Sequence, residues 1–120
     1  MASGRPSVVR GQTASALLRV PVLTRGIRLG EVENVLLDAD EPRILGLEVH
    51  CGDGASRFLP FSTARRGERG IEIDSTFTLL DARELEFYRA HGRSLTGVPE
   101  LADARIEPDG TLVIPLSAQR

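Results

Sequence analysis

The 120-residue chain contains no lysine and no tryptophan. All fifteen of its basic residues are arginine, which excludes Schiff-base and lysine general-base chemistry. A single cysteine, Cys51, excludes an internal disulfide and argues against a disulfide-built secreted module. Four phenylalanines and one tyrosine are the only aromatics. They are too few to line a sugar cleft, and none alternates with arginine as a single-strand nucleic-acid platform requires. No apolar run approaches the roughly 20 residues that span a bilayer. The net charge of −2 gives no overall field toward nucleic acid or anionic membrane.

What is present is a run of short strands organised around residues 29–49. Leu29, Val32, Val35 and Leu37 are the apolar positions of a first long strand, with Asn34 where strict alternation fails. One extra residue there is a β-bulge, which bends a strand and increases its twist, as a closing sheet requires. After the acidic turn Asp40-Glu41-Pro42-Arg43, a second strand places Leu45, Leu47 and Val49 on one face and Gly46, Glu48 and His50 on the other.

Before this pair, residues 16–24 read as a strand, with Pro21 at an edge or bend and Arg25-Gly26 as the following turn. After it come the tight turn Gly52-Asp53-Gly54, a short strand 57–61, a turn at 66–70, and strands at 71–74 and 76–80. Six short strands at this spacing favour a small barrel over a parallel α/β sheet. One helix is expected from Asp81, whose N-cap position, Glu84 three residues on and the Leu80–Leu85 staple coincide; Gly92 is read as its αL cap. Pro108-Asp109-Gly110 between apolar runs signals a terminal hairpin, which must pack on something to be stable. The expected organisation is a disordered segment 1–15, a barrel 16–80, a helix 81–92, and a connector and hairpin 93–120 packed on the barrel or on a dimer mate.

Residues from about Leu17 to Leu80 resemble a PRC-barrel domain. The resemblance rests on Arg25-Gly26, the stretch Leu-Gly-Glu-Val-Glu-Asn-Val-Leu-Leu-Asp at 29–38, Arg43-Ile-Leu-Gly-Leu-Glu-Val, Phe58-Leu59-Pro60 and the closing Ile71 to Leu80. Asn34 departs from it where related sequences often place aspartate. The implied fold is mainly β, a small partly open antiparallel barrel of SH3-like type, followed by the helix and the hairpin. The implied role is structural: family relatives include the barrel of the photosynthetic reaction centre H subunit and that of a small-subunit ribosome maturation factor, and no catalytic residue carries over.

The chemistry-bearing residues fit that role. His50 and Cys51 are adjacent on a strand and point to opposite faces, so they form no dyad with each other. A metal or nucleophile site would have to recruit His91, Asp53 or Glu48, and no zinc-type spacing exists. The pairs Glu31/Glu33 and Glu72/Asp74 share strand faces and read as solvated carboxylates. Gly26 to Gly30 enters a strand and is no phosphate loop. Arg57, Arg65, Arg66 and Arg69 cluster in sequence around one turn and are the candidate RNA contact. Phe87 and Tyr88 are adjacent on the helix and cannot both point inward with ease, so one is expected to meet a second chain.

The reading is therefore a non-enzymatic, cytoplasmic, bacterial-type interaction module with no cofactor, metal or membrane anchor. It is expected to form a homodimer through the helix or the hairpin, with Arg57, Arg65, Arg66, Arg69, Phe87 and Tyr88 as its interaction surface. A ribosome- or RNA-associated factor is the alternative, and a small hydrolase or metal-binding protein the third.

Overall fold

A computed structural model describes residues 12–114. A 3-10 turn at Ala14–Leu17 leads into β1 (Pro21–Thr24), followed by β2 (Ile27–Leu37), β3 (Ile44–Cys51), β4 (Ser56–Pro60), β5 (Arg65–Arg66) and β6 (Ile71–Glu72). Helix α1 (Ala82–His91), β7 (Arg93–Ser94), β8 (Arg105–Ile106) and β9 (Leu112–Val113) complete the described chain.

The main sheet runs β4-β3-β2-β1-β6-β5, with β7 also paired to β2. Pairing is antiparallel except between β1 and β6, where Val22 lies against Ile71 and Leu23 against Glu72 in parallel. The sheet is thus mixed where an all-antiparallel barrel was expected. Its two ends do not pair. The chain after β6 spans the gap: the Ile73 amide donates to the Leu23 carbonyl, and seven residues later Leu80 exchanges two backbone hydrogen bonds with Phe58 of β4.

β2 is the spine because it is long enough to serve three neighbours. Glu33 is skipped between the pairs Val32–Val49 and Asn34–Glu48, so the bulge expected near Asn34 is there. A second irregularity lies between Leu36 and Leu37, opposite Leu45. It turns Leu45 out of the face shared by Leu47 and Val49, and Leu45 packs instead with Leu36, Phe58 and Leu85 on the outer side. Leu45 is the extra residue of a bulge in β3, set against the consecutive pair Leu36 and Leu37, which is why simple alternation misplaces it.

The inner face is filled by aliphatic side chains. Val22, Val32, Val35, Leu37, Ile44, Leu47, Val49, Leu59 and Ile71 are all buried in one cluster. Ala14, Leu17, Leu101, Ala104, Ile106 and Leu112 belong to the same cluster, so the terminal hairpin packs on the barrel. A second small sheet makes this possible. Thr13 bridges Arg105 of β8, β8 pairs with β9, and Thr111 just before β9 bridges Arg43 ahead of β3.

Several local expectations change. Of the segment 1–15, residues 1–11 lie outside the described residues, while Thr13 and Ala14 are built into the structure: Ala14 is buried and its amide donates to the Ala104 carbonyl. The strand expected from residue 16 begins only at Pro21, after the 3-10 turn. Pro21 tolerates this place because the first residue of a strand can lack an N–H. Residues 76–80 are no strand either. Ser75 caps a 3-10 turn by accepting from the Phe77 amide, and the alternation of Thr76 to Leu80 is overridden by that cap. The Asp81 N-cap is present, with its carboxylate accepting from the amides of Arg83 and Glu84. Gly92 is no αL cap: its φ of −126° is extended, and glycine is needed because a Cβ would sit 2.5 Å from the Leu37 carbonyl oxygen.

Candidate interaction surfaces

Helix α1 lies on the outer face of the sheet. Leu85 is buried against Leu36 and Phe58, and the ring of Tyr88 stacks on Phe58 with centroids 4.0 Å apart. The outer face needs room for this, and Gly46 supplies it: a Cβ there would overlap the Phe58 ring. Beside the stack, Glu48 is only 6% exposed although charged. The Arg89 guanidinium reaches it from α1, with Nε 3.4 Å from Oε1, and also binds Glu86 at 2.7 Å. Burial of a carboxylate is tolerable only with such a partner, and the Arg89 guanidinium is in turn held more firmly protonated by Glu48 and then Glu86. At the end of the helix, Ser94 and Asn34 hydrogen-bond side chain to side chain, which fastens β7 to the β2 bulge.

The two adjacent aromatics therefore separate as the helical geometry requires. Tyr88 is turned to the barrel, and Phe87 is 53% exposed. Phe87 stacks on His91 with centroids 4.3 Å apart, and its carbonyl accepts from His91 Nδ1 at 2.8 Å. This fixes His91 on the helix, while His50 is exposed on β3 and Cys51 is buried on the opposite face. Among the described residues, no three of His, Cys, Asp or Glu are gathered as a metal site would need.

The four arginines differ in their partners. Arg57 is bound through both NH groups to Asp53, at 3.1 and 2.9 Å. That contact holds the Asp53 carboxyl at about 2 and lifts Arg57, which also feels Cys51. Arg65 pairs with Asp74 at 2.7 Å. Arg66 and Arg69 are exposed and make no ion pair among the described residues. β4 and β5 stand at the two ends of the sheet order. Glu31 and Glu33 are likewise committed, Glu31 to Arg28 and Glu33 to the Ser56 hydroxyl.

A further surface was not foreseen. At the end of the barrel that carries the β1–β2 turn, two clefts of about 460 Å³ share Arg28, Leu29, Cys51 and Gly52. Two large apolar residues next in the chain to the lining residues Arg28 and Thr76 are exposed, Ile27 at 64% and Phe77 at 89%. The signal that would have found Phe77 is the cap sequence Asp74-Ser75-Thr76, which stops a strand and turns the next residue outward.

A family model described as PRC-barrel domain matches residues 13–80. No curated protein matches the chain. The match begins at Thr13, the first residue of the small sheet, and ends at Leu80, the residue that pairs with β4 across the gap, so α1 and the terminal hairpin lie beyond it. Since that span is more than half of the sequence and coincides with the bulged, loop-closed sheet, the chain belongs to the PRC-barrel domain family.

Proposed function

We propose that this PRC-barrel protein is a non-catalytic assembly module of the cytoplasm that pairs with a second copy of itself through the outward stripe of α1. One observation carries the reading: Phe87 is half exposed on a helix whose other face is fastened by the Tyr88–Phe58 stack and the Arg89–Glu48 pair. A large apolar side chain held outward on a rigid element is what a recognition surface needs. Two helices crossing antiparallel at Phe87 oppose their dipoles favourably and bring the first turn of one, with Glu84, beside the last turn of the other, with His91. The absence of catalysis is supported by the separation of His50, Cys51 and His91 and by the filled barrel interior.

A ten-residue helix is about 15 Å long, so such a contact falls at the small end of specific interfaces. The dimer is weak and concentration-dependent. Sedimentation equilibrium should show self-association at concentrations on the order of 100 μM, abolished by Phe87→Asp with the thermal midpoint preserved. A monomer at that concentration, or an unchanged dimer in Phe87→Asp, removes the reading.

A ribosome- or RNA-associated role is favoured only by Arg66 and Arg69, which are exposed beside the β5 edge. Binding to ribosomal particles that disappears in moderate salt and in Arg66→Ala/Arg69→Ala would support it.

A further inference from the structure

We infer that the α1-to-α1 pairing proposed above, on which this rests, is controlled by pH, because it couples His91 of each copy to Glu84 of the other. Helical geometry places both residues. At about 100° per residue, Glu84 lies about 60° and His91 about 40° to one side of Phe87, while Arg83 and Ala90 lie about 40° and 60° to the other. All five are exposed, and Leu85, on the opposite side of the helix, is buried.

A two-fold axis that sets two such helices antiparallel keeps each side of the stripe facing the same side of its copy. Glu84, three residues before Phe87, then meets the partner's His91, four residues after it, and Arg83 meets the partner's Ala90. The stripe, acid then aromatic then base, is therefore complementary to itself, and each pair of copies makes the Glu84–His91 contact twice. Glu84 makes no ion pair of its own among the described residues.

His91 is held ready for that contact. Its ring stacks on Phe87, and its Nδ1 donates to the Phe87 carbonyl at 2.8 Å. While the ring is neutral, the proton sits on Nδ1 and Nε2 carries only a lone pair, which a carboxylate cannot use. A second proton puts a hydrogen on Nε2 and turns the contact into a charge-assisted hydrogen bond.

The charged groups on the elements around α1 are engaged elsewhere. Glu48 of β3 binds Arg89, Arg57 of β4 binds Asp53, and Arg93 of β7 donates to the carbonyls of Asp38 and Glu41. The Asp38 carboxylate accepts from the amides of Asp40 and Glu41. On the helix itself Glu86 binds Arg89, and Asp81 accepts from the amides of Arg83 and Glu84. Among the described residues none of these groups bonds His91, so the acid that answers its second proton comes from the other copy. The pair then binds protons more tightly than the free chain. Association strengthens as pH falls through the histidine range, and the gain is lost as pH rises again.

The test is sedimentation equilibrium of the full chain at about pH 8 and about pH 5.5, at one ionic strength. The dissociation constant should be about five- to tenfold lower at the acid pH, as two exposed ion pairs allow. His91→Gln and Glu84→Gln should each remove that difference, while His50→Gln, at the only other histidine, should keep it. Each variant should retain the parental thermal midpoint at the higher pH. An unchanged dissociation constant, a difference that survives His91→Gln, or one that disappears in His50→Gln overturns the pH control, and the α1 pairing still stands if Phe87→Asp dissociates the dimer. No association at either pH overturns both.

Discussion

Tyr88 of α1 lies flat on Phe58 of β4, with ring planes 6° from parallel. The stack joins a helix beyond the matched family segment to a strand within it. It also divides two neighbouring aromatics into one that fastens and one that is displayed.

That division is measurable. Tyr88→Ala removes the stack and opens a gap over Phe58, and should cost about 2–3 kcal/mol in urea unfolding. Phe87→Ala, one position along, should cost less than about 1 kcal/mol, because its ring is already half in water. Equal losses would mean that the helix is held otherwise.

Gly46→Ala tests the same layer from the strand side. The added methyl would meet the Phe58 ring and lie 2.5 Å from the Leu59 carbonyl oxygen. Relief requires moving either the stack or the strand, so a loss of about 2–3 kcal/mol is expected. Gly54→Ala carries a different strain, a positive φ of 89° with open space around it, and should cost only about 1 kcal/mol.

The Arg89–Glu48 contact predicts a non-additive pair. Arg89→Ala strands a buried carboxylate and should cost about 2 kcal/mol, below the range for fully buried pairs because Arg89 is itself partly exposed. Glu48→Gln/Arg89→Ala should cost less than Arg89→Ala alone, since no uncompensated charge then remains. A double-mutant cycle with zero coupling would show the contact to be inert.

Acid stability should decline over a defined window. Asp53 is held at about 2 by the Arg57 guanidinium and the Ala55 amide. Asp38 is lowered by the amides of Glu41 and Asp40, and Asp109 by Thr111. Each of these carboxylates is more acidic folded than its ordinary value of 3.8, so the unfolded chain binds protons first. Their contribution is complete above about pH 4 and is lost as pH falls toward 2. The variant Asp38→Asn/Asp53→Asn/Asp109→Asn should show a flatter thermal midpoint across that interval, read by circular dichroism.

The parts legible in the sequence are those determined by neighbours along the chain. The β2–β3 hairpin, its bulge, the Asp81 cap and the Pro108-Asp109-Gly110 turn all follow from a few adjacent residues. The rest depended on something distant or opposite. Leu45 changed sides because it is the extra residue set against Leu36 and Leu37, and Gly92 is glycine because of the Leu37 carbonyl. Phe77 was misread for a local reason, since a serine cap outweighs two turns of alternation.

The small sheet that joins Thr13 to Arg105 and Thr111 to Arg43 sets an order on biosynthesis. As the protein is made, Ala14 and Leu17 emerge first, yet their burial waits for Leu101, Ala104 and Ile106. Until then the nascent barrel is a half-sealed cup with its aliphatic lining open to solvent, the stage at which a newly made chain of this topology most needs protection from its neighbours.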